Sequence, residues 1–462
     1  MELNLDNLMR ELKKTIIKTG FQIIDKNPEK NVNKLFELAE KASRDEFTRN
    51  KIVNIKKYYN DLPSVKGYIE NILKNTNKNC LKKFYSNFIG NAIWYGVAKR
   101  EKVGIKNDTK IPFVILISPS MRCNLRCTGC YAANYSKKDD IPYEEVDRLV
   151  KEARDAGIYY IIILGGEPFF NEYMLNIYKK YNDMYFTPFT NGTLFNEKLA
   201  DKLAELGNVM PMLSIEGWEK ETDSRRGDGI FNSVVKGMEM LNKRGILFGA
   251  SSATSNRNID TVTSEKFIDM LIDRGCKMIW YFIFMPVGAN PVKEMEYMLS
   301  PEERIELGRR SRKIRTTKKI FTIDFFNDAP YVGGCISGKY YCHINSKEDV
   351  ESCIFSHFAT TNIKNKPLME AFKSPYFKNL RNRQPFNKNL LMPCPMIDNP
   401  ECIRDIVKES GAYATHPSAE LMIKNKEFMK KLDKLSEEFK PAAEQAFKDD
   451  FNNTGNYTMS KG

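Results

Sequence analysis

From residue 111 onward the apolar residues come in short unbroken runs, each followed by a turn and then by an amphipathic stretch. The runs are Phe113–Ser118, Tyr159–Leu164, Met184–Thr190, Val209–Ile215, Ile246–Ser252 and Met278–Phe284, all rich in β-branched and aromatic residues. Continuous apolar runs of this length predict strands buried on both faces. The stretches between them, such as YEEVDRLVKEARDAG and SEKFIDMLIDRG, repeat their apolar positions at helical spacing and end on glycine. Strand and helix alternating in this way predict a parallel sheet with crossover helices. Six such units rather than eight predict an α/β fold, a partial (β/α)6 TIM-like barrel whose ligands bind at the C-terminal ends of the strands.

The rhythm is absent on either side. Residues 1–110 read as helical: Leu5, Leu8, Leu12 and Ile16 recur at helical spacing with Lys13, Lys14 and Lys18 between them, and Phe84–Arg100 is an apolar helix too short to span a bilayer. After Ser300 come a helix with a basic outer face (PEERIELGRRSRKIRTT), a strand (FTIDFF), a turn-rich stretch over 331–410, a terminal helix over 418–449 and a polar tail. The expected division is a helical N-terminal region (1–110), the barrel (111–300), a linker helix with a small cysteine-rich domain (301–410), and a C-terminal helix with its tail (411–462).

Composition changes this picture in two places. The net charge of the 462-residue chain is +13, and residues 1–110 carry 23 Lys+Arg against 13 Asp+Glu, so most of the surplus lies there. Such a surplus suits an acidic partner, nucleic acid or an anionic membrane surface, or else reflects a Lys- and Asn-rich bias. No run is long and apolar enough for a transmembrane helix, and the N-terminus lacks a signal-peptide pattern, so the cytoplasm is the expected compartment. There thiols stay reduced, and ten cysteines read as metal ligands or core residues rather than disulfides. Cys80 and Cys276, within helical or strand-edge runs, read as small core residues.

Three of the ten, Cys123, Cys127 and Cys130, form a C-x3-C-x2-C loop directly after the first strand. Structural zinc takes four ligands, usually in pairs, and the whole chain has only three histidines. Three thiolates leave one metal position open, which suits a cubane iron–sulfur cluster with one free iron, although zinc also fits the triplet taken alone. The loop and its place resemble those of the radical S-adenosylmethionine (radical SAM) enzymes. The resemblance implies that these cysteines hold a [4Fe-4S] cluster and that the fourth iron is chelated by S-adenosylmethionine. An electron then cleaves that cofactor, and a 5′-deoxyadenosyl radical abstracts a substrate hydrogen. It implies no catalytic residue beyond cluster and cofactor, and an electron donor such as ferredoxin or flavodoxin.

Motifs at the ends of later strands carry the resemblance further. GGEP, Gly165–Pro168, is similar to the family's motif for the cofactor's amino group, with Glu167 as its acceptor. TNG ends the third strand and offers Asn191; SIEG ends the fourth and offers Ser214 and Glu216 for the ribose, where many relatives carry Asp. Arg226 in TDSRRGDGIF is the implied partner of the cofactor carboxylate. Ser252 and Asn256 near the fifth strand are further candidates, and MPVG, with Pro286 and Gly288, is the implied adenine cradle. The chain departs from the pattern before the third cysteine: Gly129 stands where an aromatic is common, and Tyr131 follows, either as a substitute adenine contact or as a packing residue.

Beyond the barrel lie Cys335, Cys342, Cys353, Cys394 and Cys402. GGCISGKYYCHINSKEDVESC resembles the auxiliary-cluster region (SPASM, or its shorter twitch form) that follows many radical SAM barrels. One auxiliary iron–sulfur cluster is implied, with Cys335 and Cys353 flanking a hairpin and Cys394 as a third ligand. The fourth position falls to Cys342, to Cys402 or to no cysteine. Glu348 and Ser352 stand where relatives carry Gly and Pro, and buried thiols without a cluster are the competing reading. His343 and His357 read as structural or as ligands or proton donors.

The expected function is therefore that of a radical SAM enzyme of open substrate, with a membrane lipid or other small molecule favoured and peripheral contact with an anionic membrane in view. A peptide-modifying maturase is the alternative within the family, and a metal-containing nucleic-acid-binding protein the alternative outside it. Nucleic acid is not an expected partner of the enzyme.

Overall fold

The computed structural model of the protein describes residues 28–42 and 46–452. The expected helix around Leu5–Ile16 lies outside the described residues, as do residues 453–462 of the polar tail. Nine strands form one open sheet: β1 (Val114–Ile117), β2 (Tyr160–Ile163), β3 (Tyr185–Thr190), β4 (Met212–Ser214), β5 (Gly249–Thr254), β6 (Met278–Ile283), β7 (Phe321–Asp324), β8 (Tyr341–Ile344) and β9 (Val350–Glu351). Their order is β7-β6-β5-β4-β3-β2-β1-β8-β9. Every neighbouring pair from β7 to β8 is parallel, and only β8 and β9 are antiparallel.

The first six strands follow the six apolar runs, with β5 starting three residues later than its run because Ile246–Phe248 precede the ladder. The sheet then continues past the boundary expected at residue 300. The FTIDFF segment supplies β7 beside β6, with Trp280 opposite Ile323. The expected hairpin of the cysteine-rich region forms, pairing His343 with Glu351. Its first strand also lies parallel against β1, with Cys342 opposite Ile115 and His343 opposite Leu116. The cysteine-rich region thus begins as an extension of the barrel sheet.

Strand alternation separates two faces. Ile115, Ile117, Ile161 and Ile163 join the main core with Val146, Leu149 and Val150 of helix Tyr143–Asp155. The opposite residues, Val114, Leu116, Ile162 and Leu164, face the barrel interior together with Phe189, Trp280, Phe325 and Tyr341.

Every element described between residues 28 and 107 is a helix. The segment Phe84–Tyr95 winds as a π-helix and leads into the α-helix Gly96–Asn107. Phe88 meets Tyr160 edge-on at 5.1 Å and Phe84 meets Tyr185 at 5.8 Å. Tyr160 and Tyr185 are the first residues of β2 and β3, so this helix covers the N-terminal end of the barrel, opposite the cysteine loop. Buried Arg100 anchors it by donating to the carbonyls of Ala92 and Gly157, and burial pushes its pKa down to about 10. The expected terminal helix is two helices, Pro417–Lys424 and Lys426–Phe447, because Asn425 caps the second through Phe428 N–H and so ends the first.

Candidate active site

The cysteine loop leaves the C-terminal end of β1 and is held by a second loop, that of Gly165–Pro168 after β2. Gly166 N–H donates to Ser120 O at 3.0 Å and Glu167 N–H to Arg122 O at 2.8 Å. A Cβ on Gly165 would lie 2.1 Å from Ser120 O, and one on Gly166 would lie 2.0 Å from Arg122 O. Both glycines are therefore required by backbone-to-backbone contact with the cysteine loop itself. Gly129 has a similar reason. Its φ is +65°, and a Cβ there would lie 2.2 Å from the ring of Phe284, which follows β6. The space beside Gly129 is thus filled by an aromatic from the turn after β6. The 286–288 turn is equally close, since a Cβ on Gly288 would fall 2.9 Å from Gly129 Cα.

Three thiols converge here, and each is partly accessible. Burial raises the pKa of Cys123 and Cys130, and the neighbouring thiols add to it. Against this act Leu125 N–H, which donates to Cys123 Sγ at 3.4 Å, and the guanidinium groups of Arg225 and Arg226 near Cys130. Arg226 Nη1 lies 4.0 Å from Cys127 Sγ, and Asn191 Nδ2 lies 3.7 Å from Cys123 Sγ. Cationic and N–H groups around thiols favour the thiolate, the form that binds metal.

Two buried carboxylates flank the loop. Glu167 accepts from Thr190 Oγ1 (2.7 Å), Asn191 N–H (2.8 Å) and Phe169 N–H (3.2 Å). Burial raises its pKa against those donors. A carboxylate offers about four acceptor positions, so one remains for a further donor such as an ammonium. Glu216 accepts from Arg225 (2.6 Å) and Arg226 (2.5 Å) on one oxygen, and from Ala253 N–H (2.9 Å) and Ser252 Oγ (3.3 Å) on the other. Burial opposes its ionisation, but the two arginines outweigh burial and hold its carboxyl below the ordinary range. One carboxylate facing two guanidiniums leaves the group with a positive surplus, suited to a second carboxylate from a ligand.

The other expected cofactor residues take varied positions. Pro168 opens a short 3-10 turn whose N–H groups Glu167 caps. Ser214 faces Ser251 across β4 and β5 at 3.4 Å, and Gly288 N–H is bound by Glu294 at 2.9 Å. Asn256 is exposed and donates to Glu296 O. Tyr131 donates to Gly165 O and accepts from Gly165 N–H, while its ring lies parallel to that of His357 at 6.4 Å. It bolts the cysteine loop to the glycine loop.

The second thiol group is assembled from separated segments. Cys335, Cys353 and Cys394 lie near enough that Cys335 and Cys353 both raise the pKa of Cys394, after burial and Asp398. Burial pushes Cys335 up to about 12 and Cys353 up to about 11. Tyr341, on the interior face of β8, donates to Cys353 Sγ at 2.5 Å. Cys342 is the next residue along the strand and so points the other way, fully buried in the helix-facing core with Ile115. Cys402 lies among Arg383, Asp405 and Glu409 instead. The structure brings together Cys335, Cys353 and Cys394, and of the candidates for the fourth position it separates both Cys342 and Cys402 from them. Cys80 and Cys276 are buried, as core cysteines are. No group of His, Cys, Asp or Glu among the described residues is gathered tightly enough for a single metal ion. Two all-thiol trios suit iron–sulfur clusters, whose irons each take a separate thiolate.

The barrel interior is lined largely by rings, in a cluster that also takes in Cys353 and Tyr131, the neighbour of Cys130. Trp280 and Phe282 stack at 5.4 Å, Phe282 meets Phe325 at 5.3 Å, and Phe325 meets Tyr341 at 5.8 Å. Met278, Trp280 and Phe282 alternate half-buried with the fully buried outward residues of β6.

Sequence reading missed Phe284, Arg225 and Glu351. The first two adjoin motifs already singled out, and only tertiary contact distinguishes them. Glu351, in EDVESC, had the proximity of Cys353 as its single signal.

Comparison with known proteins agrees with this geometry. Residues 117–255 match the family model described as the radical SAM superfamily. An "AdoMet-dependent heme synthase" of Methanosarcina barkeri is 24% identical over 59% of this chain and 86% of its own length. An "Fe-coproporphyrin III synthase" of the same organism is 25% identical over 47% of this chain and 57% of its own. The crystal structure of Streptococcus suis SuiB bound to S-adenosylmethionine has a similar fold, with a TM-score of 0.54 at 20% identity over 64% of this chain and 75% of that one.

Proposed function

We propose that this chain, whose residues 117–255 match the radical SAM superfamily model, is a radical SAM enzyme that abstracts a hydrogen atom from a non-peptide substrate with a large apolar body. In this reading Cys123, Cys127 and Cys130 hold the [4Fe-4S] cluster, and Cys335, Cys353 and Cys394 hold an auxiliary one. When bound, cluster and S-adenosylmethionine supply the electron and the adenosyl radical that takes the hydrogen. The chain's own residues position and shield. Glu167 receives the cofactor's ammonium at its remaining acceptor position, Arg226 receives its carboxylate, and Phe284 packs over Gly129 to exclude water from the loop.

The observation that carries the reading is the clamped three-thiol loop at the end of β1. For the substrate, support comes from the aromatic interior face of Phe189, Trp280, Phe282 and Phe325, and from the names of the two Methanosarcina relatives. The test is direct. Anaerobically reconstituted protein should be brown, carry iron in multiples of about four, and release 5′-deoxyadenosine when given S-adenosylmethionine and a reductant. Colourless protein holding zinc would sink the reading.

A docking surface extends it. Seven of the thirteen large apolar residues that are exposed among the described residues lie in the N-terminal helices, including Ile93, Val97 and Ile105 around the covering helix. They share that region with the basic surplus, a pairing that suits an anionic bilayer. Flotation with anionic vesicles should be lost in a Val97→Glu, Ile105→Glu double variant. Equal flotation with neutral vesicles would count against the surface.

A further inference from the structure

All three histidines of the chain meet at one place, against Tyr131 and Tyr135 of the cysteine loop on one side and the hairpin that carries Cys353 on the other. The rings of His357 and His416 are 4.9 Å apart, and that of His343 lies 6.4 Å from Tyr131. At their centre is Glu351, a fully buried carboxylate two residues before Cys353. One oxygen accepts from Tyr135 Oη at 2.9 Å, from Asn345 Nδ2 at 3.0 Å and from Thr415 Oγ1. The other accepts from His343 Nδ1 at 2.7 Å. His343 Nε2 in turn accepts from Ser118 Oγ at 2.7 Å, at the point where β1 becomes the cysteine loop. His357 Nδ1 lies 2.9 Å from Tyr135 Oη.

These bonds join segments that the sequence keeps far apart. Tyr135 ends the cysteine loop, Ser118 begins it, and both reach Glu351 in the hairpin that carries Cys353. Two further features set the place apart from ordinary packing. His357 has a φ of +41°, in the left-handed region that a non-glycine residue occupies at a cost. The Nε2 atoms of His357 and His416 are buried with no partner among the described residues, although buried polar atoms are normally paired. A strained backbone and unpaired nitrogens around a fully bonded carboxylate mark a group held for position.

We propose that Glu351 is a positioning residue that locks both ends of the cysteine loop to the hairpin, so that the surroundings of the first cluster depend on the seat of the second. The inference rests on the reading that the first trio holds the catalytic cluster. Hydrogen-bonded groups outside a metal's ligand shell orient that shell, and losing one weakens binding or activity by roughly 10- to 100-fold.

The test uses the full chain with Cys335, Cys353 and Cys394 changed to alanine, so that only the first cluster gives a signal. Glu351→Gln keeps shape and removes charge, while Tyr135→Phe cuts the link to the end of the loop together with its contact to His357. Both should retain the parent's iron. Both should also shift or broaden the electron paramagnetic resonance of the reduced cluster, and bind S-adenosylmethionine roughly tenfold more weakly, read from the cofactor-induced spectral change. An unchanged spectrum and unchanged affinity in a folded Tyr135→Phe variant would overturn the proposal, whether or not Glu351→Gln folds. A parent without iron, where the intact chain reconstituted beside it also holds none, would break the functional reading itself.

Discussion

The two thiol trios are built in opposite ways. The first is contiguous in sequence, sits on an outward loop at a strand end, and is surrounded by cationic and N–H groups from Arg226, Asn191 and Leu125. The second is gathered from residues up to 59 positions apart, Cys335 to Cys394; Cys335 and Cys353 are half-buried like the first trio, but Cys394 is buried and no guanidinium among the described residues offsets the rise that burial gives these thiols. A loop open on one side can admit a small molecule to its metal. A trio gathered from separate segments, with one thiol buried, favours retention of its group and a fixed distance to what lies inside the barrel. The same residue type thus serves two roles, and the surroundings decide which.

The sharpest way to break that comparison is to delete one thiol from each trio. Cys127→Ala should abolish 5′-deoxyadenosine formation and lower iron from about eight to about four per chain. Cys353→Ala should lower iron by the same amount yet leave cofactor cleavage measurable. Identical losses of cleavage in the two variants, by chromatography of the nucleoside, would mean that the trios are not separable in function.

That contrast also explains what could be read in advance. The six barrel strands announce themselves as apolar runs, and Cys123, Cys127 and Cys130 as a spaced triplet, because both are local in the chain. Cys335 and Cys353 flank a hairpin and were visible for the same reason. The fourth position stayed open between Cys342, Cys402 and no cysteine, since the direction of Cys342 is set by the parallel pairing of β8 with β1, a contact 227 positions apart (Ile115 to Cys342). Nor could any local pattern show that Phe284 fills the space beside Gly129, or that the histidines of three separate segments converge on Glu351.

Glycine positions sharpen the account of the first trio. Gly166→Ala drives a Cβ to 2.0 Å from Arg122 O, a backbone atom that cannot step aside. It should cost about 3 kcal/mol, at the upper end for overpacking, and sharply reduce cluster loading. Gly129→Ala meets the ring of Phe284 at 2.2 Å, a side chain that can move, and adds the roughly 1–2 kcal/mol of a left-handed backbone at φ +65°. Its cost should be smaller, and Phe284→Ala in the same chain should recover part of it. Additive losses in the double variant, by chemical denaturation, would show that the ring and the glycine are not paired.

The histidine cluster beside the second trio predicts a pH effect. Burial, followed by His357, lowers the pKa of His416 to about 3 from an ordinary 6.5, while Glu351 opposes the shift. Ser418 N–H donates to its Nδ1, which fits the neutral ring. Below pH ~6.5 the unfolded chain binds a proton that the folded chain refuses, so the stability present above that pH declines as pH falls towards about 3. Relative to pH 8, the loss at pH 5 should be about 2 kcal/mol from this residue. His416→Gln should flatten that part of the stability–pH curve measured by urea denaturation, and an unchanged slope would place the ring in a wetter site than its burial implies.

Cys342 gives the smallest effect and separates the trios from the other cysteines. It shares the sequence neighbourhood of Cys335 and Cys353, but β8 turns it onto the outer face with Ile115 and Ile117, away from Tyr341 and the interior. There it acts as a small apolar residue. Cys342→Ala should therefore cost about 1 kcal/mol through a minor cavity and leave iron content untouched. Iron that fell by about four atoms would mean that the strand rotates to present this thiol, and that the second site closes with four ligands rather than three. Retained iron would leave the second cluster with three thiolates from this chain, the same number as the first, despite their different surroundings.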